Sequence, residues 1–158
     1  MTNYLDKKIS LFYKKCNNKL EAFQLLNDQL LSKNCVSETF LANIIKREEE
    51  FPTGLQTKSL GIAIPHTDAI YAYHPQIAFL SLKEPVKFQN MDGSGEIDVY
   101  MILMLVLTKE VNQLAMLQKL MVLFKEEGTL EELYRAETQE AVEKILQRLN
   151  EKEARNNV

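Results

Sequence analysis

Residues 98–107, DVYMILMLVL, decide how the chain folds. From Met101 to Leu107 no polar side chain interrupts the run, so the period-two alternation of a strand with one wetted face is missing. An apolar segment this short, preceded by the turn-forming Asp92-Gly93-Ser94-Gly95, reads as a central strand covered on both faces. Helices must then lie on each side of its sheet. Two more β-prone runs come earlier, GIAI at 61–64 and QIAFLSL at 76–82, with His74-Pro75 between them.

The flanking sequence supplies the helices. Leu20, Phe23, Leu26, Leu30 and Leu31 recur at helical spacing and stop at Lys33-Asn34. A second helix is expected from Ser37, read as its N-cap, to about Glu50, with Phe40, Leu41, Ile44 and Ile45 as the buried stripe. Pro52 ends it by disfavouring helix at Phe51. Leu114, Leu117, Met121 and Phe124 restore the helical period beyond the long strand, and Gly128 is the expected stop. Thr129 opens a short helical stretch to Tyr134, and Thr138 caps a last helix through Leu149, ahead of a polar tail at 150–158. Helices, strands and helices in this order predict one α/β domain over residues 1–158. The expected architecture is a sandwich, with helices on both faces of a mixed sheet of four or five strands.

Composition narrows the function. A chain of 158 residues can bury a full core, and an apolar fraction of 46% excludes a disordered chain. The 19 basic and 22 acidic residues form no block of either sign, which argues against nucleic acid as a partner. MTNYLDKKIS lacks the uninterrupted apolar stretch of a secretory signal, and Val99 to Leu107 is about half a membrane span. A cytoplasmic protein without membrane insertion is expected. Cys16 and Cys35 stand apart from any CxxC or Cys/His cluster and read as reduced, partly buried thiols. The GxSxG, HExxH and GxxxxGKS patterns of hydrolases, metalloenzymes and nucleotide loops are absent.

The chemistry falls on one of two histidines. His66 follows the strand candidate at 61–64, and Pro65 makes that strand stop abruptly, so the imidazole is presented at a strand's carboxyl end, where ligands commonly bind. Thr67 and Asp68 bring a hydroxyl and a carboxylate that could hold one ring nitrogen and leave the other as a nucleophile; Asp68 reads equally well as a turn residue. His74, in YAYHPQ, reads as a turn residue.

Arg47-Glu48, FPTGL at 51–55, GIAIPHTDA at 61–69, IAFLSLKEPVKF at 77–88 and the strand and helix beyond resemble the type-2 enzyme IIA family of the bacterial sugar phosphotransferase system. The FPTGL segment and the spacer before GIAIPH look most like its galactitol-type branch. The resemblance implies that His66 accepts a phosphoryl group from the phosphocarrier HPr and passes it to an enzyme IIB subunit, which works with a membrane enzyme IIC. It also implies that Arg47 faces the phosphate. No cofactor is expected beyond the phosphoryl group, which derives from phosphoenolpyruvate.

Many members of the family's fructose and mannitol branches carry a second histidine before the leucine-rich helix, where the corresponding position of this chain looks like Gln113. Glutamine donates hydrogen bonds but cannot become a cation, and here it reads either as a phosphate contact or as a plain helix N-terminal residue. Ile70, Tyr71 and Tyr73 are candidate docking residues, the two tyrosines being equally suited to the core. Two other readings stay open: a regulatory domain whose phosphorylation controls a partner, and an interaction module in which GIAIPH is only a tight strand end. The sugar is not legible, because selectivity belongs to the membrane subunit.

Overall fold

A computed structural model describes residues 3–149, so the tail at 150–158 lies outside the described residues. Five strands form one mixed sheet: β1 (Ser10–Lys14), β2 (Gly54–Gln56), β3 (Gly61–Ala63), β4 (Gln76–Gln89) and β5 (Glu96–Val106), in the spatial order β1-β4-β5-β3-β2. The β1/β4 and β3/β5 pairs are parallel, and β4/β5 and β2/β3 are antiparallel. The helices are α1 (Lys19–Ser32), α2 (Phe40–Glu50), α3 (Gln113–Phe124), α4 (Thr129–Arg135) and α5 (Gln139–Leu146).

The strand read as doubly covered is so. Met101, Leu103, Leu105 and Leu107 pack with Leu120, Leu133 and Ile145 of α3, α4 and α5. Ile102, Met104 and Val106 pack with Phe23, Leu26 and Ile44 of α1 and α2 on the other face. Each side chain therefore finds an apolar partner whichever way the pleat turns it, which removes any pressure for alternation.

Two strands went unread. β1 lies at the sheet edge, is half-exposed and carries a bulge between Leu11 and Lys14, so it shows neither a continuous apolar run nor an alternation. β2 has only three residues, too few for a periodic signal. Several boundaries also differ from expectation: β4 runs on to Gln89, past the apolar run ending at Leu82, and α5 ends at Leu146, short of Leu149. The N-cap of α2 is Thr39, preceded by a turn in which Phe40 N–H donates to the Ser37 carbonyl, so Ser37 starts the turn and not the helix. Gly128, at φ 82°, is the left-handed residue leading into α4, whereas α3 has already ended at Lys125.

The first residue of GIAIPH is fixed by space. A Cβ on Gly61 would overlap the Asp98 carbonyl of β5, a backbone group that cannot swing away. Gly61→Ala is expected to destabilise the protein by about 1–3 kcal/mol, read from the midpoint of urea unfolding. An unchanged midpoint would show that β5 yields at that point.

Candidate functional site

His66 sits where β3 runs out. The Pro65 carbonyl accepts a hydrogen bond from Leu105 N–H of β5 at 2.9 Å, which fixes the end of the strand. The His66 ring is buried, at 8% exposure, and its Nδ1 lies 2.9 Å from the Ile64 carbonyl oxygen. A carbonyl only accepts, so Nδ1 carries the proton and the neutral ring keeps its lone pair on Nε2. Burial lowers the His66 pKa from its ordinary value; the Ile64 hydrogen bond opposes this, and the positive charge of Arg47 adds to it. The ring is therefore neutral at pH 7.

Neither Thr67 nor Asp68 holds the ring, contrary to the sequence expectation. The backbone of Ile64 does so, because Pro65 turns the chain back and brings His66 over the carbonyl two residues earlier. Thr67 is buried beside it, and Asp68 points outward, its side chain 66% exposed and its Oδ1 3.6 Å from Nη1 of Arg47. An exposed pair at that distance is weak and easily exchanged for another anion.

Arg47 lies in the last turn of α2, with its guanidinium 4.9 Å from the centroid of the exposed Phe51 ring and its Nε buried without a hydrogen-bond partner. The structure thus places within electrostatic reach of His66 a guanidinium that lies over an aromatic ring and has a buried N–H without an acceptor among the described residues. Gln113 is the first residue of α3, half-buried and directly after the capping Asn112, whose side chain accepts from Ala115 N–H at 3.0 Å. Because β3 and β5 are parallel, α3 starts at the same end of the sheet as His66. Gln113 has no hydrogen bond to the imidazole among the described residues.

Sequence reasoning passed over Glu48 as an individual residue. It is buried, at 3% exposure, and its two oxygens accept from Thr53 N–H and Thr53 Oγ1–H, each at 2.7 Å. The only sequence signal was its place beside Arg47 and shortly before FPTGL.

His74 lies 2.9 Å through Nε2 from Asp6 Oδ1, a turn residue tied to the N-terminal segment as expected of its position. Burial pushes the Asp6 carboxyl up, but hydrogen bonds from His74 and Gln76, with the charges of His74 and Lys7, outweigh it and leave the group below the usual carboxylate range. Cys16 and Cys35 are free and buried. Ile70 and Tyr73 are exposed, whereas Tyr71 packs against the α1/α2 side of the core. Phe51 and Leu114 are exposed as well, so four apolar side chains stand on segments that meet at the carboxyl end of β3 and β5. A cleft of about 950 Å³ lies at the opposite end of the β2–β3 hairpin, between Gln56–Ser59 and the α3–α4 turn. No helix among the described residues is long and apolar enough to cross a membrane.

Fold and site together define an α/β domain organised around a neutral, backbone-held histidine with an arginine beside it. The family model described as phosphoenolpyruvate-dependent sugar phosphotransferase system, EIIA 2, matches residues 3–149, and the chain belongs to that family. The galactitol-specific EIIA component of the phosphotransferase system from Escherichia coli K12 is 32% identical over 101 residues, which cover 64% of this chain and 67% of that one.

Among solved structures, the E. coli complex of enzyme IIA(Mtl) with phosphorylated enzyme IIB(Mtl) has a match with a TM-score of 0.73 at 19% identity, covering 92% of this chain and 98% of the other. The nitrogen regulatory protein IIA-Ntr of Neisseria meningitidis matches with a TM-score of 0.67 at 24% identity, covering 89% and 94%. Both likenesses are of fold.

Proposed function

We propose that this protein is a phosphoryl carrier that accepts a phosphoryl group from HPr on Nε2 of His66 and passes it to an enzyme IIB subunit in a galactitol-like transport system. The observation that carries this reading is the Nδ1 hydrogen bond to Ile64, which leaves Nε2 of a neutral ring as the nucleophile within the field of Arg47. The Nε2 lone pair attacks phosphorus, a P–N bond forms, and the bond to the HPr histidine breaks with its electron pair returning to that ring. The proton stays on Nδ1 throughout, hydrogen-bonded to the Ile64 carbonyl oxygen, whose partial negative charge offsets the positive charge that builds on the imidazole.

Transfer of this kind asks the protein for alignment and for donors around the equatorial oxygens. Arg47 supplies planar, permanently charged donors, and Asp68 gives way to the phosphoryl oxygens. The N-terminus of α3, which begins at Gln113, adds the partial positive charge of its first turn. No metal or small-molecule cofactor takes part, and the exchange takes place in the cytoplasm, where HPr meets the exposed Phe51, Ile70, Tyr73 and Leu114. Enzyme IIB uses the same rim afterwards, because both partners must reach one nitrogen.

Incubation with phosphoenolpyruvate, enzyme I and HPr tests the reading: acid-labile phosphate on His66 is the expected result, and none would overturn it. A protein labelled on His66 that delivers phosphate to no enzyme IIB would be regulatory instead.

Acceptance requires the neutral ring, so its pH dependence follows from the lowered pKa. The rate of labelling should hold as pH falls through the ordinary imidazole value of about 6.5 and decline only below it. Stopped-time labelling between pH 5 and 8, with HPr already phosphorylated, makes the measurement. A midpoint at or above that ordinary value would mean that the ring is more exposed to water than the structure shows.

A further inference from the structure

Arg47 and His66 stand on different elements, one in the last turn of α2 and the other past the end of β3. Something must set their spacing, since a phosphoryl site misplaced by about 1 Å loses roughly 10²-fold in rate. The residue after Arg47 is the buried Glu48. Its carboxylate accepts both donors of Thr53 at 2.7 Å, the Thr53 carbonyl accepts from Ile64 N–H at 3.4 Å, and the Ile64 carbonyl holds Nδ1 of His66 at 2.9 Å.

From this unbroken chain of hydrogen bonds we infer that Glu48 is a positioning residue, which locks the last turn of α2 to the end of β3 and so fixes both the tautomer of His66 and its distance from Arg47. The inference rests on the proposed carrier function for its rate effect, but its tautomer effect needs no phosphoryl donor.

Three further observations support it. A glutamate this buried is rare unless paired, and the partners of Glu48 are the two donors of a single residue in the next loop, with no ion pair to either oxygen among the described residues. That pattern suits a clamp on geometry. Burial raises the Glu48 pKa, the Thr53 hydrogen bonds and Lys19 opposing it, so a carboxyl group stands where its ionised form costs stability. Thr53 is pinned from its other side as well. The carbonyl of Gly54, next in the chain, accepts from Met91 N–H at 2.7 Å, and a Cβ there would stand 2.5 Å from the Gln89 carbonyl. The loop that Glu48 grips is therefore also tied to the end of β4.

Glu48→Gln, Glu48→Met and Thr53→Val separate this role from mere stability. Glutamine offers an acceptor to Thr53 N–H and a donor to Oγ1, so Glu48→Gln should transfer within about threefold of wild type. Glu48→Met should slow transfer from phosphorylated HPr by about tenfold or more. Ring nitrogen-15 spectra of the unphosphorylated proteins give the second readout, and with two histidines in the chain the signals are readily assigned. Wild type should show the proton on Nδ1 of His66, and Glu48→Met a mixture of tautomers.

A folded Glu48→Met protein with the wild-type tautomer and rate would overturn the inference, and so would a Glu48→Gln protein as slow as Glu48→Met. Should Glu48→Met not fold, Thr53→Val decides: a slower rate with a disturbed tautomer supports the clamp, and wild-type behaviour overturns it. Failure of the wild type to be labelled would strike the carrier reading alone, because the tautomer comparison would still stand.

Discussion

His66→Ala is expected to take up no acid-labile phosphate from phosphorylated HPr, under conditions in which the wild type is labelled to completion. The expectation rests on chemistry more than on position. Two imidazoles exist in the chain, and only that of His66 is buried, held by a backbone carbonyl at Nδ1 and left with a free Nε2. His74 turns its Nε2 to the carboxylate of Asp6, so the same nitrogen there is engaged and exposed to water.

His74→Ala should therefore be labelled as wild type is, which separates a specific site from adventitious labelling of any imidazole. The fold should survive His66→Ala, because the strand end is fixed by the Pro65 carbonyl and Leu105 N–H, neither of which involves the ring. Loss of the buried ring removes contacts worth roughly 1–3 kcal/mol, so far-ultraviolet circular dichroism should be unchanged and the unfolding midpoint modestly lower. Equal labelling of His66→Ala and wild type would sink the proposal.

Much of the site was legible before the fold was seen, and the parts that were not share a cause. β5 and the GIAIPH strand announce themselves because a strand buried on both faces admits only apolar residues, and because Pro65 must end what precedes it. β1 and β2 left no trace because a bulged edge and a three-residue pairing draw their stability from the neighbouring strand, not from their own pattern. The ring partner was misread for a related reason. Thr67 and Asp68 are visible as polar side chains, whereas the carbonyl of Ile64 is a group that every residue has, and only the turn at Pro65 makes it special. Glu48 escaped because charged residues are expected outside, and a buried one is recognised only once its two hydrogen bonds to Thr53 are seen.

Arg47→Ala should slow acceptance of the phosphoryl group by about 10²-fold, the usual consequence of removing one preorganised donor from a site of developing charge. The guanidinium is prepared for that task before any phosphate arrives. It rests on Phe51 at 4.9 Å, its Nε is buried without a partner, and its ion pair with Asp68 is exposed and 3.6 Å long, so little must be broken to receive an anion.

Arg47→Lys keeps the charge but loses the planar fork and the stacking on Phe51, and it should recover only part of the rate. The pH dependence distinguishes this from a packing defect. The charge of Arg47 is one of the causes that lower the His66 pKa, so its removal lets that pKa rise, and protonation then blocks the nucleophile at a higher pH than in wild type. In Arg47→Ala the labelling rate should therefore begin to fall at higher pH as the solution is acidified, on top of its lower plateau, whereas Arg47→Lys should keep the wild-type midpoint. A variant that lost rate with no change of midpoint would show that the guanidinium does not reach His66 electrostatically, and unchanged kinetics would remove Arg47 from the site. The second histidine of many relatives would be a cation only when protonated; with Gln113 in its place, the standing positive charge facing the phosphoryl group is that of Arg47 alone among the residues argued to meet it, which is why its loss should be felt so strongly.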